Sequence, residues 1–241
     1  MIFSNAFPIP LYNTPHIHSL YNSLPKKNGR GLLIGIEMVL LEGSKIEILE
    51  ELDGGVFRVK TPHYIVEYPV YIDARHVSGA AAPKSFILPS YNQALEKLVA
   101  IEEGTRYIYG ANHSQGLPYL FDHFPPSIDL SEEEKKDWIL QGLDCSGLFF
   151  EICNGATVRN CSMLPQIGET LLDPKVENLR PLDLILTPGH VVIVESSRQV
   201  IESAYRFNGV KRGPLTSEIL EGCRIVRPFF KNVPVVCKLF D

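Results

Sequence analysis

Gly142-Leu143-Asp144-Cys145-Ser146-Gly147-Leu148-Phe149-Phe150-Glu151-Ile152-Cys153 is the stretch on which the reading of this chain turns. Cys145, Leu148, Phe149, Ile152 and Cys153 recur at i, i+3, i+4, i+7 and i+8, which is one face of a buried helix. Gly142 ends what precedes it, so Cys145 stands where a turn enters that helix. A thiol at this place faces the unpaired amides and the positive end of the helix dipole, which favour the nucleophilic thiolate. Such a nucleophile needs a base that can later hand a proton to a leaving amine, and histidine supplies both roles. The opposing reading is a small buried hydrophobe, the commoner fate of a free cysteine.

Downstream, Leu182–Leu186, His190–Glu195 and Gln199–Glu202 have strand composition, with turn signals at Pro188-Gly189 and Ser196-Ser197. His190 opens the second of these at the rim of an apolar strand, a rigid mount for a general base, although among seven histidines a surface role is the default. Upstream, Asn92–Glu102 carries apolar residues at a period close to 3.6 and ends at Gly104. Ser131-Glu132-Glu133-Glu134 is a capping box that starts a helix over Glu132–Gln141. One cysteine-bearing helix followed by antiparallel strands carrying a histidine is an α+β plan.

The first part of the chain has a different pattern. Lys45–Glu51 and Val56–Thr61 are short strands around the turn Leu52-Asp53-Gly54-Gly55. Tyr64–Asp73 reads as a further strand that Pro69 confines to an edge or a bulge. Closely spaced short strands suggest a small barrel. Gly79-Ala80-Ala81-Ala82-Pro83 is a joint, dividing the chain into residues 1–85 and 86–241. The polar, proline-rich first 30 residues have no assignment.

Composition narrows the classes. The 241 residues are 45% hydrophobic and 21% charged, which excludes a disordered tail or a fibrous repeat. No apolar run approaches the ~18 residues of a membrane span, and no basic segment leads an apolar stretch at the N-terminus, so a soluble, cytoplasmic protein is expected. The net charge of −5 argues against a nucleic-acid partner. Almost all of it arises in Leu117–Gln141, which holds six acids and two bases. Five cysteines without a CxxC pair exclude a paired-cysteine zinc site and make a disulfide framework improbable, so free thiols in a reducing compartment are expected. Cys153, Cys223 and Cys237 read as packing residues, and Cys161 is left open. With no phosphate-binding glycine loop or metal cluster in view, no cofactor and no metal is expected.

The separate pieces form an ordered set. Asp144-Cys145-Ser146-Gly147-Leu148, Arg180-Pro181-Leu182-Asp183-Leu184-Ile185 and His190-Val191-Val192-Ile193-Val194 resemble the D-C-S-G-L, R-P-G-D-L and H-V-G-I-Y motifs of NlpC-type cysteine peptidases. Gly104-Thr105-Arg106-Tyr107-Ile108-Tyr109-Gly110 is similar to the family's G-T-P-Y-x-W-G-G strand, and Arg159-Asn160-Cys161-Ser162 to its P-R-x-x-S turn. Gly43–Glu51, Gly55–Val59 and Val70–Asp73 resemble a bacterial SH3-like domain, with Ser44, Phe57 and Val70 in place of the usual Glu, Trp and Gly. The resemblance implies a papain-like catalytic domain behind a small SH3-like β-barrel.

It also implies a reaction: hydrolysis of the bond between D-γ-glutamate and a diamino acid in peptidoglycan stem peptides, with Cys145 as nucleophile and His190 as acid and base. Counting to the family's third polar residue reaches Glu202, whose carboxylate would accept the Nδ1 proton of His190. Tyr107 is the side-chain candidate for the oxyanion site. Asp144 would pair with a free N-terminal ammonium, Ser146 and Ser162 match substrate-contacting serines, and Tyr64 and Glu67 are candidates from the SH3-like part. Two departures stand out. Asn112–Leu143 is far longer than the family's link, either a lid or subsite wall or a decorated surface loop. Leu182 and Val192 replace glycines, on strands with room for a side chain. Alternatives are an intact-wall hydrolase exported by another route, an amidase or acyltransferase on the same scaffold, and a wall-binding adaptor without activity.

Overall fold

In the computed structural model, which describes residues 2–28, 32–77 and 82–230, the N-terminal segment without a sequence assignment supplies two strands. β1 (Ile2–Ser4), β2 (Ile9–Tyr12), α1 (Ile17–Leu20), β3 (Ile36–Leu40), β4 (Lys45–Leu52), β5 (Val56–Lys60) and β6 (Val70–Asp73) come first. α2 (Tyr91–Ala100), β7 (Asn112–His113), α3 (Leu120–His123), α4 (Glu132–Trp138), β8 (Gly142–Leu143) and α5 (Cys145–Ile152) follow. β9 (Gly168–Thr170), β10 (Leu184–Thr187), β11 (His190–Val194), β12 (Gln199–Ala204), β13 (Gly209–Pro214) and β14 (Arg224–Pro228) complete the order. Gly79, Ala80 and Ala81 of the expected joint, and Cys237, lie outside the described residues.

Contacts divide the chain into two compact units, one of residues 1–85 with 108–142, the other of 86–107 with 143 onward. The acidic segment that the sequence reading assigned to the catalytic part therefore packs within the first unit.

The first unit is built on a six-stranded antiparallel sheet, β1-β4-β5-β6-β2-β3. Gly54 and Gly55 turn β4 into β5 with φ of 79° and 72°, a left-handed backbone that glycine adopts without penalty. Two expectations change here. β6 begins at Val70, after Pro69, and lies inside the sheet between β5 and β2; the missing N–H of Pro69 falls before the ladder rather than at an edge. The expected closed barrel is an open sheet among the described residues, with β1 and β3 as its outer strands. The edge at β3 is met by a side chain: Asn112 accepts from the Val39 N–H (2.8 Å) and donates to the Val39 carbonyl (2.9 Å).

The acidic segment is core here, not a surface decoration. Ile108, Leu120, Phe124, Trp138 and Leu140 join Tyr12, Ile17, Tyr21, Ile36 and Val39 in one buried cluster. Tyr21 stacks on Phe124 at 4.1 Å and meets Trp138 edge-on, while the Trp138 indole N–H donates to the Phe124 carbonyl at 3.0 Å. The capping box of α4 forms as expected, with Ser131 accepting from the Glu134 N–H and the Glu134 carboxylate taking the Ser131 N–H. Glu132 and Glu133 stay exposed and Glu134 is half-buried, while Asp137 is buried and pairs with Lys27 at 2.6 Å.

The second unit has a six-stranded sheet, β13-β12-β11-β10-β14-β9, with α5 against β11 and β12. Leu148, Phe149, Ile152 and Cys153 on the inner face of α5 join Ala94 and Leu98 of α2 and Leu184, Leu186, Val191, Ile193 and Ile201 of the strands. β9, β13 and β14 had no strand reading in the sequence. Leu182 departs from expectation. It lies in a turn before β10, at φ 72°, not on a strand. A left-handed leucine costs roughly 1–2 kcal/mol. Burial of its side chain in the core, which stabilises by about 1.5–3 kcal/mol, offsets that cost.

If the acidic segment belongs to the first unit's core, Trp138→Ala should cost about 3–5 kcal/mol of that unit's stability. Urea unfolding followed by far-UV circular dichroism checks this; a loss under about 1 kcal/mol would be that of a loop residue.

Candidate active site

Asp144, in extended backbone conformation, is the N-cap of α5, and its Oδ1 accepts the Gly147 N–H at 2.7 Å. Its Oδ2 takes the Arg159 guanidinium at 2.5 Å, and the same arginine donates to Ser146 Oγ at 2.7 Å. Ser146 in turn donates to Asp144 at 3.3 Å. All three residues are buried. An ion pair of this kind is held by its own hydrogen bonds, and removing one partner leaves an uncompensated buried charge. Asp144 and Ser146, read in the sequence as substrate-binding residues, are thus engaged with Arg159 and with the helix start.

Cys145 is the first residue of α5 and is buried. Its Sγ lies 3.4 Å from Cys161 Sγ and 3.9 Å from the carbonyl of Gly189. His190 follows Gly189, whose φ of 76° makes the turn between β10 and β11. Ile193 faces Ile201 and Val194 faces Val200 across β11 and β12; the same register puts Glu202 opposite Val192, on the face of His190. Twelve residues of separation therefore bring the two side chains together, with His190 Nε2 2.6 Å from Glu202 Oε2. The expected atom was Nδ1.

The electrostatics follow from these contacts. Burial alone would lower the His190 pKa, but hydrogen bonds to Cys145 and Glu202 outweigh it and raise it to about 9. Burial would raise Glu202; the bond to His190 and the Arg206 charge prevail and hold it below the usual carboxylate range. Arg206 Nη2 reaches both Glu202 oxygens at 2.5 Å. The two thiols share a proton. The bond to Cys161, followed by burial, pushes the Cys145 thiol up, against the pull of His190. The same bond holds Cys161 down. Their titrations belong to the pair.

The other sequence candidates are spread out. Tyr107 is half-buried, its ring edge-on to Tyr205 and its N–H on the Asn208 carbonyl. Ser162 is exposed on the 3-10 segment Cys161–Gln166. In the first unit, Glu67 is exposed, while the buried Tyr64 donates its hydroxyl to Glu37. Glu37, itself buried, also receives Tyr68 (2.8 Å) and Asn13 (2.5 Å), so three neutral donors surround this carboxylate.

Four residues of these constellations had no role in the sequence reading: Cys161, Arg159, Arg206 and Glu37. Arg159 and Cys161 stood inside the quoted turn motif, which was a signal of their place but not of their contacts. Arg206, four residues after Glu202 in a 3-10 turn, and Glu37 on β3 carried no local signal.

No family model and no curated protein matches the chain. Among solved structures, it is similar to an NlpC/P60 family protein from Bacillus cereus, at 16% identity and a TM-score of 0.41, over 94% of this chain and 62% of that one. The peptidoglycan hydrolase RipB from Mycobacterium tuberculosis is similar at 20% identity and a TM-score of 0.39, over 56% of this chain and 65% of that one. NlpC2 from Trichomonas vaginalis is similar at 15% identity and a TM-score of 0.37, over 95% and 73%. The chain thus spans less than two thirds of the length of the first two. At these scores the likenesses carry no weight for the site, which rests on its own geometry.

Two outcomes follow. Arg159→Met removes the buried guanidinium that neutralises Asp144, and should cost about 3–5 kcal/mol in chemical denaturation. The raised His190 pKa adds stability that is complete below about pH 6.5 and is lost as pH rises through about 9. The lowered Glu202 adds stability above about pH 4.5 that is lost in acid. Glu202→Gln should flatten both limbs of the stability–pH curve; unchanged limbs would remove the pair from this account.

Proposed function

We propose that the chain is a cysteine peptidase, with Cys145 as nucleophile, His190 as acid and base and Glu202 as the group that orients and charges the imidazole. The observation that carries this reading is the short His190–Glu202 bond on a histidine that follows Gly189, whose carbonyl lies 3.9 Å from the Cys145 thiol at the start of α5. The Cys145 thiolate attacks a carbonyl carbon, and His190 protonates the departing amine. Water, deprotonated by His190, then hydrolyses the thioester. The Cys145 N–H at the start of α5 and the Tyr107 hydroxyl are the oxyanion donors in this scheme.

The substrate in this reading is a peptidoglycan stem peptide cut between D-γ-glutamate and a diamino acid, as the motifs of Asp144–Leu148, Arg180–Ile185 and His190–Val194 suggest. The first unit is read as SH3-like on its strand motifs. A free N-terminal amine on the substrate is part of the same reading, with Asp144 as the carboxylate that the motif assigns to it, although Arg159 already occupies its Oδ2.

L-Ala-γ-D-Glu-diaminopimelate, offered free and N-acetylated, tests this. Cys145→Ala and His190→Ala should lower turnover to background while circular dichroism stays unchanged. Wild-type rates in either variant would overturn the peptidase reading. A charge-assisted bond is worth about 1.5–3 kcal/mol, so acetylating the amine should lower kcat/KM with the unaltered enzyme by roughly tenfold to a hundredfold. Equal cleavage of both peptides would instead favour a hydrolase of intact wall.

A further inference from the structure

We propose that Cys145 and Cys161 close into a reversible disulfide, which makes the site a target for peroxides and switches off the thiol that attacks substrate. The effect on activity rests on the peptidase reading; the covalent chemistry does not. The two sulfurs are 3.4 Å apart, already in contact. A disulfide bond is about 2.05 Å long, so the sulfurs must approach by only about 1.4 Å. Both ends are held for that approach. Cys145 opens α5, and Asp144, the residue before it, is tied to Arg159. Arg159 stands two residues ahead of Cys161, so the buried ion pair clamps the two cysteine-bearing segments together.

Cys161 meets Cys145 at the partly buried rim of the apolar core. Cys153, a cysteine that serves packing alone, lies fully buried in the apolar core. Cys161 is only partly buried and opens a 3-10 segment. Its thiol shares a proton with Cys145, so one thiolate is available to the pair more readily than to an isolated buried cysteine.

The chemistry balances with one peroxide. A thiolate of the pair attacks a peroxide oxygen, the O–O bond breaks, and hydroxide leaves as water, giving a sulfenic acid. The second thiol attacks that sulfur, forms the S–S bond and expels a second water. Two thiols supply the two electrons, and hydrogen peroxide ends as two waters. A dithiol reductant reverses the step by thiol–disulfide exchange and is itself oxidised to a disulfide. Because the second sulfur is already in contact, closure precedes a second peroxide and spares Cys145 the irreversible sulfinic state.

The test treats the full chain with equimolar hydrogen peroxide, blocks remaining thiols with iodoacetamide and maps a non-reducing digest by mass spectrometry. The expected result is a cross-link between the peptides of Cys145 and Cys161, two hydrogens lighter than their sum, with peptide hydrolysis lost and then restored by dithiothreitol. In Cys161→Ser, or Cys161→Ala should the first not fold, two or more equivalents of hydrogen peroxide should carry Cys145 to sulfinic acid, and reduction should restore nothing. Both thiols still alkylated after peroxide, or Cys145 sulfinic acid in the unaltered chain with Cys161 free, would overturn the proposal. The cross-link found in a chain that cleaves no peptide would uphold the disulfide and remove the peptidase reading.

Discussion

The Asp144–Arg159 ion pair is the constraint on which the second unit's site depends. One carboxylate does three things at once. It caps α5 through the Gly147 N–H, it neutralises a buried guanidinium, and through that guanidinium it reaches Ser146. The cap sets where α5 begins and hence where Cys145 sits relative to the open end of the helix, whose partial positive charge favours an anion. The guanidinium brings in the turn that carries Cys161. Both groups are shielded from water, so a pair that would contribute little at the surface becomes costly to break. An apolar replacement of similar volume would fill the space but would hold neither the helix start nor the turn in register.

The histidine is placed by a different device. A glycine turn opens β11, and the antiparallel register of β11 with β12 aligns His190 and Glu202 on one face. The carboxylate is itself held by Arg206, so the chain of contacts runs from a half-exposed guanidinium through a buried carboxylate to an imidazole. Each link stabilises the charged form of the next, which is why the imidazole's pKa rises although burial opposes it. Helix α5 and the sheet share one apolar core, so the thiol and the imidazole are mounted on elements that cannot shift independently without opening that core.

The first unit shows how an acidic, proline-interrupted segment can be structural. Most of its charges face outward, with Asp137 buried and paired, while Phe124, Trp138 and Leu140 fill the space beside Tyr12 and Tyr21. Net charge along a sequence reports the solvated face of such a segment and conceals the buried one. In the same unit Glu37 is a carboxylate ringed by hydroxyl and amide donors, a constellation assembled from β3, the segment after β5 and the turn after β2.

Local patterns made some of this chain legible in advance. The apolar spacing of α2 and α5, the capping box of α4 and the Gly54-Gly55 turn are written in neighbouring residues, because helix faces, caps and turns depend on interactions a few positions apart. Cys145, His190 and Glu202 were legible as candidates through their motif order. The contact of His190 with Glu202, and the choice of Nε2 over Nδ1, came only from strand register, a long-range property. β1 and β2 escaped notice because short strands rich in proline carry little periodicity and form on the edges offered by distant partners. The open sheet, the return of residues 108–142 to the first unit, the Asp144–Arg159 pair and the meeting of Cys145 with Cys161 were likewise decided by tertiary structure. Each joins residues from separate segments, and no local propensity encodes which of many compatible partners burial will select.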